Sequence, residues 1–425
     1  MKKSRTKSRP RKALSPSGRS ASKTEFTPPW ALSPRARLLE VVLAKGFEGV
    51  MQILEEDREA LCGPARCWQT SREAYRYGFD EGRLVLGGRT VKVPKPRIRS
   101  IEGEEVQLPS WRHFAEEDPL RERVVRQVLA GVSTRSYGDS LEEIPEKLQV
   151  GMTSSSSVSR RFVAVTKHRM KEFLFRPLTD LDLPVILIDG TGFGEHLLVI
   201  ALGIDVTGKK HVLGVVEGTT EGEETCKSLL RNLIDRGLKV ERARLFVLDG
   251  GKGIRKAVRT TFGEWGLVQR CQIHKLRNIM DHLPQHRRAW VRAAVRKAWA
   301  EETPAKAKGK LVHLAEQLES DHPGAAASIL EGLEETLTLI RLGVRGSLHK
   351  TLSSTNAIEN LIGRVKKVAR NVKRWRGGKM VLRWAATGLI EAEKKFRGIK
   401  GHREMSQLVT ALEATISMDK KQRVA

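Results

Sequence analysis

The sequence predicts an α/β fold: a mixed sheet covered by helices, interrupted by an all-helical insertion and preceded by a smaller helical region. Three observations carry this. Between residues 183 and 271, apolar runs of strand length alternate with Gly-containing connections and amphipathic stretches. From 275 to about 345 the chain turns to Ala, Lys, Arg and Glu at helical spacing. Lys plus Arg number 77 against 50 for Asp plus Glu, a net charge of +27. A surplus that large attracts polyanions, nucleic acid above all.

The 425 residues leave room for two or three domains. No apolar run approaches the roughly 20 residues needed to span a bilayer, and the basic N-terminus has no apolar segment behind it, so no membrane partner or secretory signal is expected. Cys62, Cys67, Cys226 and Cys271 are too few for a disulfide framework. A reducing, cytoplasmic setting is expected.

In chain order, residues 1–30 read as a disordered basic tail. Met1 to Lys23 holds nine Lys or Arg and no acid, and cannot bury enough apolar surface to offset chain entropy. Such a tail serves as a DNA-backbone contact or as a solvated leader, and the residues do not separate the two. Residues 31–118 read as an accessory domain. Its helix runs from about Arg35 to Cys62, with Leu38, Val41, Val42, Phe47, Val50 and Leu54 at helical spacing, and a hairpin turns at Gly87-Gly88.

Residues 119–178 read as a helix-turn-helix-like DNA-binding region. A first helix includes Val124, Val125, Val128 and Leu129, and Ser133 looks like the N-cap of another. A run after Ser154 to Ser157 buries Val158, Phe162 and Val165, leaving Arg160, Arg161, Lys167 and His168 off the stripe. Ordinary amphipathic packing would produce the same pattern.

The strands follow: Val185 to Gly190, Leu197 to Val206, and Lys210 to Val216. A helix from Glu221 ends at Gly237, then come a strand from Arg244 to Asp249, a helix from Ile254 to Phe262 and a strand from Gly266 to Cys271. This β-β-β-α-β-α-β order is that of the RNase H-like fold. The core therefore occupies residues 179–275 and 346–400. Residues 276–345 form the insertion, with Trp290, Ala294 and Ala298 on one face. A long basic helix covers Ser353 to Lys373, and residues 401–425 read as a C-terminal tail.

Asp189 ends the first strand and Asp249 the fourth, and this order sets those ends side by side. Gly190 and Gly250 let the backbone turn away from each. Neighbouring carboxylates repel unless a cation neutralises them, and hard oxygen ligands suit Mg²⁺ or Mn²⁺. A third acid would complete a two-metal site for in-line phosphoryl transfer. Glu359 is the candidate: Ile358, Ile362 and Val365 mark the buried stripe of its helix, while Asn356, Glu359 and Gly363 share another face. Glu391 and Glu393 are nearby competitors. Downstream, Arg364, Lys366, Lys367, Arg370, Lys373, Arg374 and Arg376 form a phosphate-tracking strip. An Asp-Gly is usually just a turn and a helical Glu usually solvated, so the weight lies in the combination.

Other chemistries fit less well. Cys271 and His274 supply only two zinc ligands, and no second pair has matching spacing. Cys271 reads as a small buried hydrophobe, and His274, Lys275, Arg277 and Asn278 as an active-site rim meeting DNA. The Gly250 to Gly253 stretch lacks P-loop spacing, and no Ser-His-Asp arrangement can be argued. Trp290 and Trp299 pack helices or stack on an unpaired base, with packing the commoner role.

The stretches Ile188 to Asn278 and Ser354 to Arg370 resemble the Mutator-type transposases of bacterial insertion sequences. The matching pieces are Ile-Asp-Gly at 188–190, Ala-Leu-Gly-Ile-Asp at 201–205, Asp249-Gly250, and Thr-Asn-Ala-Ile-Glu at 355–359. The most specific is Gln-Arg-Cys-Gln-Ile-His-Lys-Leu-Arg-Asn at 269–278. The resemblance implies that Asp189, Asp249 and Glu359 are the catalytic, metal-holding triad, with the helical insertion before the third acid. It implies a bacterial, nucleoid-associated recombinase that binds double-stranded inverted-repeat ends as a homodimer or higher oligomer. The reaction would be metal-dependent strand cleavage followed by transfer to target DNA. Leu248 and Cys226 depart from the family's usual Ser and Trp, without removing a carboxylate. A DNA-binding protein without activity is disfavoured by the intact acids. A structure-specific nuclease would need neither the insertion nor the helix-turn-helix.

Overall fold

The computed structural model describes residues 34–67, 72–86, 89–116, 121–137, 140, 150–151, 154–218 and 222–424. The basic tail and the Gly87-Gly88 turn lie outside these residues. The described residues form two compact units, one within 1–116 and 142–151 and the other within 117–141 and 152–425.

In the first unit, α1 (Pro34–Cys62) packs Leu54 and Cys62 against a hairpin of β1 (Ala74–Leu86) and β2 (Arg89–Ser100). The short β3 (Glu105–Val106) and β4 (Val150–Gly151) also pair with β2. The helix α2 (Pro109–Glu116) closes the core with Trp111. The predicted helix and hairpin are both present.

The second unit begins with α3 (Arg121–Ala130) and α4 (Ser155–Phe175). Ser154 caps α4, its side chain accepting from the Ser157 amide at 3.2 Å. Ser133 caps no helix; its hydroxyl accepts from the Ser136 amide in a local turn. The connection from α3 to α4 spans 131–154, far longer than a helix-turn-helix turn of about 3–4 residues. Nor do these helices stand apart: Phe162 meets Trp384 at 4.7 Å, and Arg176 binds the Glu393 carboxylate at 2.9 Å. The packing explanation of the α4 stripe therefore holds.

The sheet consists of β5 (Val185–Phe193), β6 (His196–Ile204), β7 (Lys210–Gly218), β8 (Arg244–Leu248) and β9 (Gly266–Arg270). Their spatial order is β7-β6-β5-β8-β9. β5, β6 and β7 pair antiparallel, while β8 runs parallel to both β5 and β9. The crossovers are α5 (Glu223–Asp235) and α6 (Lys252–Phe262). Gly237 closes α5 at φ +102°, its amide donating to the Ile234 carbonyl and that of Leu238 to Leu233.

Side chains alternate across the sheet. Ile186, Ile188, Phe246 and Leu248 face the core beneath α5 and α6. Val185, Leu187, Leu245 and Val247 face the other side.

The insertion comprises α7 (Gln272–Asp281), α8 (Gln285–Trp299), α9 (Pro304–Glu319), α10 (Pro323–Leu330), α11 (Leu333–Thr336) and α12 (Thr338–Arg341), after which α13 (Gly346–Leu352) buries Leu348 and Leu352 in the core beside the sheet. The insertion has its own apolar core. Val291, Val295, Ala298 and Trp299 form the buried face of α8, while Trp290 is 46% exposed, so the expected Trp290 face is shifted.

Next comes α14 (Asn356–Val368), shorter than the helix expected to reach Lys373. The chain then runs irregularly to α15 (Gly378–Glu393) and α16 (Met405–Val424). In place of the expected C-terminal tail stands α16, whose Met405, Leu408, Leu412 and Ile416 bury themselves at i, i+3, i+7 and i+11.

Candidate active site

Period-2 alternation decides where the acids point. Asp189 follows Val185 and Leu187 in parity, and Asp249 follows Leu245 and Val247. Both carboxylates therefore leave the sheet on the face that α14 covers. The β5–β8 ladder ends at Ile188 paired with Leu248, so the two aspartates are adjacent at its end.

The two are held differently. Asp249 lies just beyond β8. Gly250 adopts φ +110°, and a Cβ there would sit 2.4 Å from Arg270 Nε, so glycine is required. The Gly251 amide donates to Asp249 Oδ1 at 2.9 Å. Asp189, expected at a strand end, sits within β5, which continues to Phe193 paired with β6. Gly190 is ordinary extended backbone, pairing with Val199, and makes no turn. Its amide donates to Asp189 Oδ1 at 2.9 Å.

Glu359 enters from the first turn of α14, whose Ile358, Leu361, Ile362 and Val365 are buried against the sheet. Gly388 lets α15 close on this helix, since a Cβ there would lie 3.1 Å from Val365 Cγ1. Gly363, one turn beyond Glu359, faces open space. Glu391 and Glu393 are engaged elsewhere, by Arg169 and Arg176.

A network fixes Glu359. Thr355 Oγ1 lies 2.6 Å from Glu359 Oε1, 3.3 Å from His274 Nδ1 and 3.4 Å from Cys271 Sγ. The hydroxyl has one proton, and the shortest contact takes it, so the Thr355 amide serves the sulfur at 3.4 Å. His274 Nε2 is 3.7 Å from Glu359 Oε1. Thr355 is not among the site residues expected from the sequence, although its place four residues before Glu359 sets it on the same helix face.

The electrostatics are strained. Burial, then the Asp249 carboxylate and to a lesser degree Glu359, push Asp189 up to about 7, against the Gly190 amide and His274. His274 is raised by its hydrogen bond to Cys271, in spite of burial. Burial pulls the Cys271 thiol upward, but hydrogen bonds with His274 and Thr355 outweigh it and leave it below its ordinary value. This donor set fits a hard divalent cation by charge and oxygen type. Among the described residues no three His, Cys, Asp or Glu side chains converge on one point as they stand, so Glu359 would have to swing from Thr355 to join the aspartates.

The sequence matches the family described as "Transposase, Mutator family" over residues 39–398. The chain belongs to the Mutator family of transposases. The transposase for insertion sequence element IS256 in transposon Tn4001 from Staphylococcus aureus is 28% identical over 315 residues, 70% of this chain and 75% of that protein. The transposase for element ISRM5 from Rhizobium meliloti is 28% identical over 325 residues, 73% and 77% of the two chains. Membership makes this a nucleic-acid-processing enzyme whose partner is DNA. Among the described residues no helix is long and apolar enough to cross a membrane.

The transposase's basic residues separate into groups. Arg160 and Lys167 are exposed on α4, with Arg161 half-buried; Arg277 and Asn278 are exposed on α7. Lys366 and Lys367 are exposed on α14, whereas Arg370, Lys373 and Arg374 are exposed beyond its end. Lys275 is not a surface contact. It is 1% exposed, its Nζ donating to the Glu331 carbonyl at 2.5 Å. Burial and the Arg270 charge push its ammonium down to about 8, Glu331 partly opposing. Spaced three residues from Gln272, it falls on the face of α7 that packs inward.

Much of the family-like string at 269–278 thus clamps the sheet to the insertion. Gln269 donates to the Thr336 carbonyl at 3.2 Å and accepts from the Leu339 amide at 2.9 Å. Arg270 binds the Glu331 carbonyl at 2.9 Å, and Gln272 donates to the Thr336 carbonyl at 3.0 Å.

Proposed function

We propose that this transposase is a DDE-type enzyme with an RNase H-like core. It binds the double-stranded inverted-repeat ends of its insertion sequence, cleaves DNA there and joins the freed end to target DNA. The observation that supports this most is the placement of Asp189, Asp249 and Glu359 on one face of the sheet, at the end of the β5–β8 ladder. The strand order, with three antiparallel strands followed by two parallel ones, supports the fold reading.

Asp189, Asp249 and Glu359 would hold Mg²⁺ or Mn²⁺. Bound there, the metal would lower the pKa of water and stabilise charge on attacking and leaving oxygens. The chain's own residues position the acids: Gly190 and Gly251 amides fix one oxygen of each aspartate, and Thr355 holds Glu359 beside them, from where its carboxylate would turn to join the pair. Water attacks the phosphorus at the transposon end, and the leaving 3′-oxygen takes up a proton. The resulting 3′-hydroxyl then attacks a target phosphodiester, displacing a target 3′-oxygen. Synapsis of two ends calls for at least a homodimer, and the setting is the bacterial cytoplasm, at the nucleoid.

The test is a labelled transposon-end duplex incubated with protein and Mn²⁺. Wild type produces nicks with 3′-hydroxyl ends. Asp189→Asn, Asp249→Asn and Glu359→Gln retain end binding and lose nicking by about a thousandfold or more, the scale of a lost metal or charge-stabilising group. Nicking at the wild-type rate by these variants would overturn the triad.

A further inference from the structure

A groove of about 1140 Å³ opens beside Glu359, between α14, the C-terminal part of α15 and the start of β7, with the end of α3 at its margin. Lys210, Arg364, Lys367, Arg370, Lys395 and Arg397 line it. The acids in its wall are Glu359 and Glu391, and Glu391 is already bound by Arg169 and Lys394. Among the described residues no carboxylate lies within ion-pair distance of Lys210, Arg364, Lys367, Lys395 or Arg397.

Lys210 is the most unusual of these. It is half-buried at the mouth of β7, with its Nζ 5.1 Å from the centre of the Phe396 ring. Burial, then the Arg364 charge, push it below the ordinary lysine range. Cations crowded together without a carboxylate in ion-pair contact cost folding free energy, and the natural relief is an anion that arrives from outside.

We infer that this groove binds the sugar-phosphate backbone of the DNA strand that adjoins the scissile bond, with Lys210 and Arg364 holding successive phosphates and Glu359 at the reacting end. The occupant is a linear polyanion, because the cations come from three separate segments, β7, α14 with its end, and the stretch after α15, spread along an open groove that Glu359 also lines. A compact anion would need a cluster closed about one point. Lys210, Lys395 and Arg397 lie far in sequence from the basic strip after Glu359, so this assignment goes beyond that strip. It rests on the reading of the three acids as the reaction centre.

The experiment uses the full chain, a transposon-end duplex, and the same duplex with uncharged methylphosphonate linkages beside the cleavage point. Lys210→Gln with Arg364→Gln is expected to weaken binding at least tenfold. The slope of log affinity against log salt is expected to shallow by about 2, since each lost phosphate contact removes roughly 0.9. Neutral linkages should weaken wild type and leave the double variant unaffected. An unchanged affinity and salt slope, with the variant's melting temperature intact, would overturn the inference, as would equal losses from neutral linkages in both proteins. Asp189→Asn keeps the groove's salt slope in either case. A wild type that binds through the groove yet never nicks therefore removes only the catalytic reading.

Discussion

Arg270 and Lys275 differ from Lys210 and Arg364 in what surrounds them, although sequence treats all four as the same positive charge. The first pair is 3% and 1% exposed and is anchored on Glu331 at the sheet–insertion junction, through both terminal nitrogens of Arg270 and through Lys275 Nζ, while Arg270 Nε has no partner among the described residues. The second pair has no acid partner among the described residues and lines an open groove. A buried, satisfied cation stabilises the fold only while its partners remain, because removing one leaves a desolvated polar group unpaired. An unpartnered surface cation weakens the fold slightly and gains its partner on binding. Local environment, then, separates cations that the fold itself pairs from cations left open to an outside partner.

The largest effect should come from breaking the first kind. Arg270→Ala removes the contacts to Glu331 and opens a gap against Gly250 and Gly332, whose backbones the guanidinium touches. A loss of about 3 kcal/mol is expected, read as a fall in the denaturant midpoint. The salt slope of DNA binding by the folded protein should stay as in wild type. A shallower slope with unchanged stability would reverse the assignment.

A smaller effect of opposite sign is expected at Asp189, a group held away from its preferred charge state. Its folded pKa, about 7, stands above the ordinary value of 3.8, so the folded state binds the proton more tightly. The stability that Asp189 contributes is therefore fully present below about pH 4 and is lost as pH rises through the window to about 7. Asp189→Asn should flatten that slope and, at neutral pH without divalent metal, raise stability by roughly 2 kcal/mol, a discounted fraction of the shift. Unfolding measured from pH 4 to 8 checks this. If Asp189→Asn is less stable than wild type at pH 7, the strain has been misplaced.

The sheet was legible because strand chemistry is local: apolar runs such as Val185 to Ile188 and Leu245 to Leu248 have few alternatives to a buried strand. Asp189 and Asp249 followed from their places in those runs. Glu359 needed helix-face geometry as well, and its partner Thr355 depends on a tertiary arrangement with Cys271 and His274. Lys275 was misread because burial of a lysine is paid for by Glu331, 56 residues away, which no local pattern announces. The groove was invisible for the same reason: Lys210 meets Arg364 and Phe396 only after β7, α14 and α15 have assembled. The helix α16 stands where a tail was expected because Met405, Leu408, Leu412 and Ile416 find their cover only in the assembled core.

The smallest effect should come from the exposed residues beyond α14. Lys373 and Arg374 lie on irregular backbone, exposed and without a described acid partner, so neither contributes to packing. Lys373→Ala and Arg374→Ala should each change stability by no more than about 0.5 kcal/mol. If they track DNA phosphates, each should shallow the salt slope by about 1 and weaken binding evenly across unrelated sequences. This separates them from the groove, where losses should concentrate on duplexes with intact phosphates at the cleavage point. Equal, sequence-wide losses from Lys210→Gln and Lys373→Ala would merge the two into one diffuse field. A loss confined to the cleavage point for Lys210→Gln alone would make the groove a site and the strip beyond α14 a steering surface.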